Sequence, residues 1–123
     1  MPWPMDSALR QTVVLAVAHA RDGEVLRSAT VWSNAKYLVL DPVQPWLYLV
    51  GIDPELSAIA TDVLDRGTMT PLGHLVSPTL FPSPLGPWYP MLDAVRRRLY
   101  VVDTCPWCLA GYGTRVVWFD LLR

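Results

Sequence analysis

Cys105-Pro106-Trp107-Cys108 sets two thiols three residues apart, a spacing at which one thiolate attacks a disulfide and the other resolves the mixed intermediate. The pair follows the run Leu99-Tyr100-Val101-Val102, as a redox loop follows a strand. Cys105 and Cys108 are therefore the candidate redox or disulfide residues. A catalytic pair needs a helix N-terminus to lower the thiol pKa, and Leu109-Ala110-Gly111-Tyr112-Gly113 is a poor helix former. A loop-closing disulfide and two ordinary thiols are the other readings of the same residues.

A zinc site would have to recruit His19 and His74, the only histidines, from separate strand-like segments, so no metal and no cofactor are expected. No Gly-x-Ser-x-Gly elbow and no glycine-rich phosphate loop occurs, and no catalytic residue is assigned. Asp41 and Asp93 follow matching Leu residues and are expected to cap their own turns rather than to act as paired carboxylates. Arg96-Arg97-Arg98 reads as a solvated turn tip. Of the six tryptophans, Trp32 and Trp118 fall in strand patterns and are expected in the core. Trp88 and Trp107 fall in loops and, with Tyr112, are the candidate ligand-binding residues, their rings suited to stacking on a sugar face. Pro87-Trp88-Tyr89-Pro90 lacks the adjacent basic residue expected of an SH3 ligand.

The elements that must position these groups come from a repeat. Tyr37–Val50 (YLVLDPVQPWLYLV) returns as Tyr89–Val102 (YPMLDAVRRRLYVV), 52 residues later, without a gap and with seven of 14 positions identical. A period of this size built from short strands is the signature of propeller blades, each leaving an apolar face that a neighbour must cover. Residues 1–11 read as a flexible N-terminal arm, and 12–123 as a single all-β repeat domain of about two and a half antiparallel four-stranded blades. Thr12–Ala20 and Glu24–Trp32 form an outer hairpin about Asp22-Gly23 (residues 12–32). Tyr37–Leu40, Trp46–Gly51, Leu56–Leu64 and Pro71–Val76 form a complete blade (37–76). Tyr89–Leu92, Arg98–Asp103 and Thr114–Leu122 supply three strands of another (89–122), after a proline-rich extended connection over Ser77–Pro90. Leu56–Leu64 can also be set on a helical pattern, but its counterpart Val116-Val117-Trp118-Phe119 is strongly strand-forming. Setting Ala58–Leu64 against Val116–Leu122 gives an offset of 58, and so six extra residues in the loop Thr104–Gly113.

Both copies of Leu-Asp followed by Leu-Tyr-(Leu/Val)-Val, together with Trp118-Phe119-Asp120-Leu121, resemble the strand motifs of the YVTN and lactonase-like propeller superfamily. Asp65–Gly73 is similar to a hairpin common in its 6-phosphogluconolactonase-like members. The resemblance implies a propeller, and a lactonase-like hydrolase where further blades complete the ring. None of the family's catalytic residues maps onto this chain.

Two and a half blades expose apolar flanks and strand edges. Three outcomes are expected, in this order: a piece of a longer protein, a ring closed by several copies, or a small β-sandwich. The first expectation for function is a scaffold or a module binding a protein or small molecule, with further blades or self-association as partners. The hydrolase and a thiol-disulfide protein are the alternatives. Apolar residues make up 52% of the chain and charged residues 17%, below the roughly 25% of typical soluble domains, which favours contact with something. A net charge of −1 with scattered basic residues argues against nucleic acid. No apolar run is long enough for a membrane helix. Val13–Ala18, preceded by Arg10 and followed by Ala18-His19-Ala20, imitates a signal peptide but reads better as a strand. The compartment stays open, with a soluble cytoplasmic location slightly favoured over a secreted one.

Overall fold

A computed structural model of the protein describes residues 13–18, 21–31, 34–53, 58–77, 88–105 and 113–123. Among them there is no helix. The strands are β1 (Val13–Ala18), β2 (Val25–Val31), β3 (Asn34–Leu40), β4 (Trp46–Asp53), β5 (Ala58–Asp65), β6 (Pro71–Val76), β7 (Trp88–Asp93), β8 (Arg98–Cys105) and β9 (Gly113–Asp120). They form three open antiparallel sheets in simple sequence order: sheet A is β1-β2, sheet B is β3-β4-β5-β6, and sheet C is β7-β8-β9. Sheet A spans residues 13–31, sheet B 34–76 and sheet C 88–120. The N-terminal arm, His19, Trp32 and residues 78–87 of the proline-rich connection lie outside the described residues.

The helical alternative for Leu56–Leu64 fails on periodicity. From Ala58 onward the segment is β5, where Ile59, Thr61 and Val63 face one way and Ala60, Asp62 and Leu64 the other. The expected equivalence of the third strands is also corrected. Trp46 pairs with Asp65, and its counterpart Arg98 pairs with Asp120, so the offset between β5 and β9 is 55 residues rather than 58. The second repeat carries three extra residues between these strands, not six. Ladder register is set by hydrogen bonding and by which side chains must face inward, and it overrides the aspartate match used to align the sequences.

The main core lies between sheets B and C. Sheet B contributes Tyr48, Val50, Ile59 and Val63, and sheet C contributes Leu99, Val101, Phe119 and Leu121, with Tyr37, Val39 and Leu92 packed against them. In repeat terms Leu99 and Val101 correspond to Leu47 and Leu49, which lie on the opposite face of β4 from Tyr48 and Val50. The near face of one sheet therefore meets the far face of the next. Leu47 and Leu49 themselves join Leu64 and Met69 in a second cluster on the far side of sheet B.

Candidate functional site

Of the two cysteines and three aromatics singled out from the sequence, Trp88 and Cys105 lie among the described residues. Trp88 opens β7 with its backbone opposite Val102, and Cys105 closes β8 opposite Gly113. Trp107, Cys108 and Tyr112 lie outside the described residues. No group of three or more His, Cys, Asp or Glu able to hold a metal occurs among the described residues, and none of their helices could cross a membrane, since there are none.

Two buried polar clusters are present instead. Asp41 does cap its turn, its Oδ1 accepting from the Val43 and Gln44 amides at 2.9 and 3.1 Å, and Asp93 accepts likewise from the Arg96 amide at 3.0 Å. Asp41 also does something the sequence did not announce. Arg97 reaches across from sheet C and donates Nη1 to Oδ1 at 2.9 Å and Nη2 to Oδ2 at 2.6 Å, while Tyr48 donates its hydroxyl to Oδ2 at 2.5 Å. Arg97 further donates to the Leu122 carbonyl and lies over the Trp46 ring. Arg97 is thus not part of a solvated tip: it is 5% exposed, whereas Arg96 beside it is open to solvent. A left-handed backbone at Arg97, with φ of 57°, turns its side chain inward against Asp41. Burial opposes ionisation of Asp41, but Arg97, Tyr48 and the two amides outweigh it and hold the carboxyl well below the usual range. Burial, reinforced by Asp41, pushes the Tyr48 hydroxyl up, so it stays a donor.

The second cluster ties three strands on the far side of sheet B. His74 of β6 sits with Nδ1 2.6 Å from Asp62 of β5 and Nε2 3.0 Å from Asp53 at the end of β4, all three being buried. Burial lowers the imidazole pKa, but the hydrogen bonds and charges of Asp62 and Asp53 win and hold it above the ordinary histidine range. A protonated ring donates to both carboxylates at once, which a neutral ring cannot. Asp62 and His74 are direct cross-strand partners, a relation visible in sequence only once the β5–β6 register is known. Both clusters are internal braces.

The outer face of sheet C carries several exposed apolar side chains. Met91, Tyr100 and Trp118 align across β7, β8 and β9, with Val102 opposite Val116 in the adjacent row. Tyr89 is 79% exposed, Met91 69%, Val116 54% and Trp118 51%. Trp118 is therefore not a core residue as its strand pattern suggested. With the offset corrected, it stands on the face away from sheet B, while Phe119 takes the core position. Arg98 lies over the Trp118 ring at 5.5 Å and donates to Asp120 at 3.1 Å, and Tyr100 meets Trp118 at a tilt of 53°. The arrangement offers aromatic and apolar area with a charged pair at one end.

Comparison of the chain with known protein families, with curated proteins and with solved structures finds no match.

Proposed function

We propose that the chain is a propeller-type β-repeat scaffold that works by binding, with the outer face of sheet C as its binding surface. The observation that carries this reading is the exposure of Tyr89, Met91, Val116 and Trp118 together. By ladder register the equivalents of Met91, Val116 and Trp118 in sheet B are Val39, Thr61 and Val63. Val39 packs against the core under sheet C, and Thr61 and Val63 are fully buried. The same positions are thus covered by a neighbouring sheet in one repeat and open in the other. An exposed contiguous apolar face is the mark of an interaction surface.

The near-face-to-far-face packing of sheets B and C supports blades in an array over a two-layer sandwich, because an array repeats one junction while a sandwich ends at its second layer. Both Leu-Asp motifs of the YVTN and lactonase-like resemblance stand at the β3–β4 and β7–β8 turns, which favours the same reading.

The test is light scattering of the full chain together with binding of an apolar fluorescent dye. The wild type is expected to associate or to bind the dye. Trp118→Glu should lose both at unchanged β-sheet circular dichroism. A wild-type monomer that binds dye no better than Trp118→Glu would overturn the reading.

A further inference from the structure

We infer that β6 is a pH-released edge strand: a protonated His74 ties it to β5 and β4 at once, and loss of the ring proton frees the strand from sheet B while the core between sheets B and C stays closed. This goes beyond the binding face of sheet C and does not depend on it.

Apart from His74, β6 is weakly held. Among the described residues it is the last strand of sheet B and pairs only with β5. The β5–β6 ladder runs from Ala60 to Leu64 and shifts register between Val63 and Leu64, whereas β4 and β5 stay in register along the whole of β5. Pro71 opens the strand without an N–H to give to that ladder. Gly73 and His74 are the buried residues of β6, so His74 is its one fully enclosed side chain, while Leu72 and Leu75 are only partly buried against the core. Ser77, just beyond, donates its amide to the Ile59 carbonyl at 2.9 Å, but its hydroxyl is buried without a partner.

His74 reaches two strands from this edge. Its ring meets Asp62, its direct cross-strand partner on β5, and Asp53 at the end of β4. The side chains of His74, Asp62 and Asp53 are 1%, 3% and 7% exposed, so these contacts are made out of water. β2 also approaches β6, and Arg27 is the charged residue in its sequence.

Between the two carboxylates an imidazolium donates from both nitrogens. A neutral ring has a single N–H, and its other nitrogen then turns a lone pair on a buried carboxylate. The aspartates lose the positive charge that lies between them, and charge left uncompensated out of water is strongly unfavourable. Moving β6 away relieves this by opening the site to water, and among the described residues no strand of sheet B lies beyond β6 to hold it back.

The sign follows from the site. Against the effect of burial, Asp62 and Asp53 hold the docked ring above the ordinary histidine range. Below about pH 6.5 the ring is protonated whether β6 is docked or free, and docking does not change with pH. Above it, the ratio of open to closed strand rises about tenfold per pH unit until the docked ring itself loses its proton.

Two-dimensional NMR of the full chain from about pH 6 to about pH 10 tests this, a range that begins near the ordinary histidine value. It follows the methyl groups of Leu72, Leu75 and Val76 on β6 and those of Leu99 and Val101 in the core. The β6 methyls are expected to move to unstructured positions as the pH rises, while Leu99 and Val101 keep their native ones. Asp53→Asn should keep β6 closed throughout, because the Asn amide donates to the second nitrogen of a neutral ring. The wild-type titration decides on its own if that variant does not fold. β6 methyls that stay native to the top of the range would overturn the inference. So would β6 and core methyls that lose their native positions together, or an Asp53→Asn chain that opens as the wild type does.

Discussion

At the residue scale the strongest constraint is the pair formed by Arg97 and Asp41, because both charges are buried and every donor is directed. Removing one partner of a buried pair leaves an uncompensated charge and costs about 3–5 kcal/mol. Arg97→Met is expected to lose stability of that size in urea unfolding, with Arg96→Ala within about 0.5 kcal/mol of wild type, as for a surface substitution. Arg97→Lys should fall short of rescue, since an ammonium cannot make the bidentate contact with both Asp41 oxygens. His74 sets a pH dependence of opposite sign to that of an acid. Its pKa is raised in the folded state, so its contribution is complete below the ordinary histidine value of about 6.5 and is lost as the pH rises through the folded value. Unfolding by urea from about pH 5 to about pH 9 should show this loss in the wild type, and His74→Gln should remove that part of the slope.

The β-strands show how register decides what a side chain does. Thr61 faces sheet C, and its hydroxyl is buried without a hydrogen-bond partner. Its equivalent on β9 by ladder register is Val116, so the repeat itself holds a methyl group at this place. Thr61→Val should stabilise the chain by about 1 kcal/mol, read from the unfolding midpoint at unchanged slope, because it removes an unsatisfied buried hydroxyl at nearly constant shape. β7 illustrates a different adjustment. Its register shifts between Trp88 and Met91, with Tyr89 at φ of 48°, around Pro90, a residue that cannot donate to a ladder. Pro90 is tolerated because β7 is the edge of sheet C.

For the whole molecule, two separate apolar patches remain exposed. Sheet C presents Tyr89, Met91, Val116 and Trp118, and β3 presents Leu38 and Leu40. The proposed binding face of sheet C is apolar, so association through it should survive about 1 M salt, where the screening length falls to about 3 Å. Light scattering at low and high salt checks this, and dissociation at high salt would point to an ionic junction instead.

The sequence by itself determined the all-β class, the nine strands of the described residues to within a few residues, the hairpin at Asp22-Gly23 and the turn-capping roles of Asp41 and Asp93. These depend on local alternation, turn chemistry and repetition, all of which are written within one or two strands' length. It did not determine that Arg97 is buried, that Trp118 is exposed, or that His74 joins Asp53 and Asp62. Each of those depends on partners far along the chain. Arg97 and Asp41 lie 56 residues apart, and a slip of three residues in aligning β5 with β9 exchanges the inward and outward sets on β9. Tertiary structure alone chose which of two apolar faces on sheet C was covered, because both read as equally apolar until a neighbouring sheet packs against one of them.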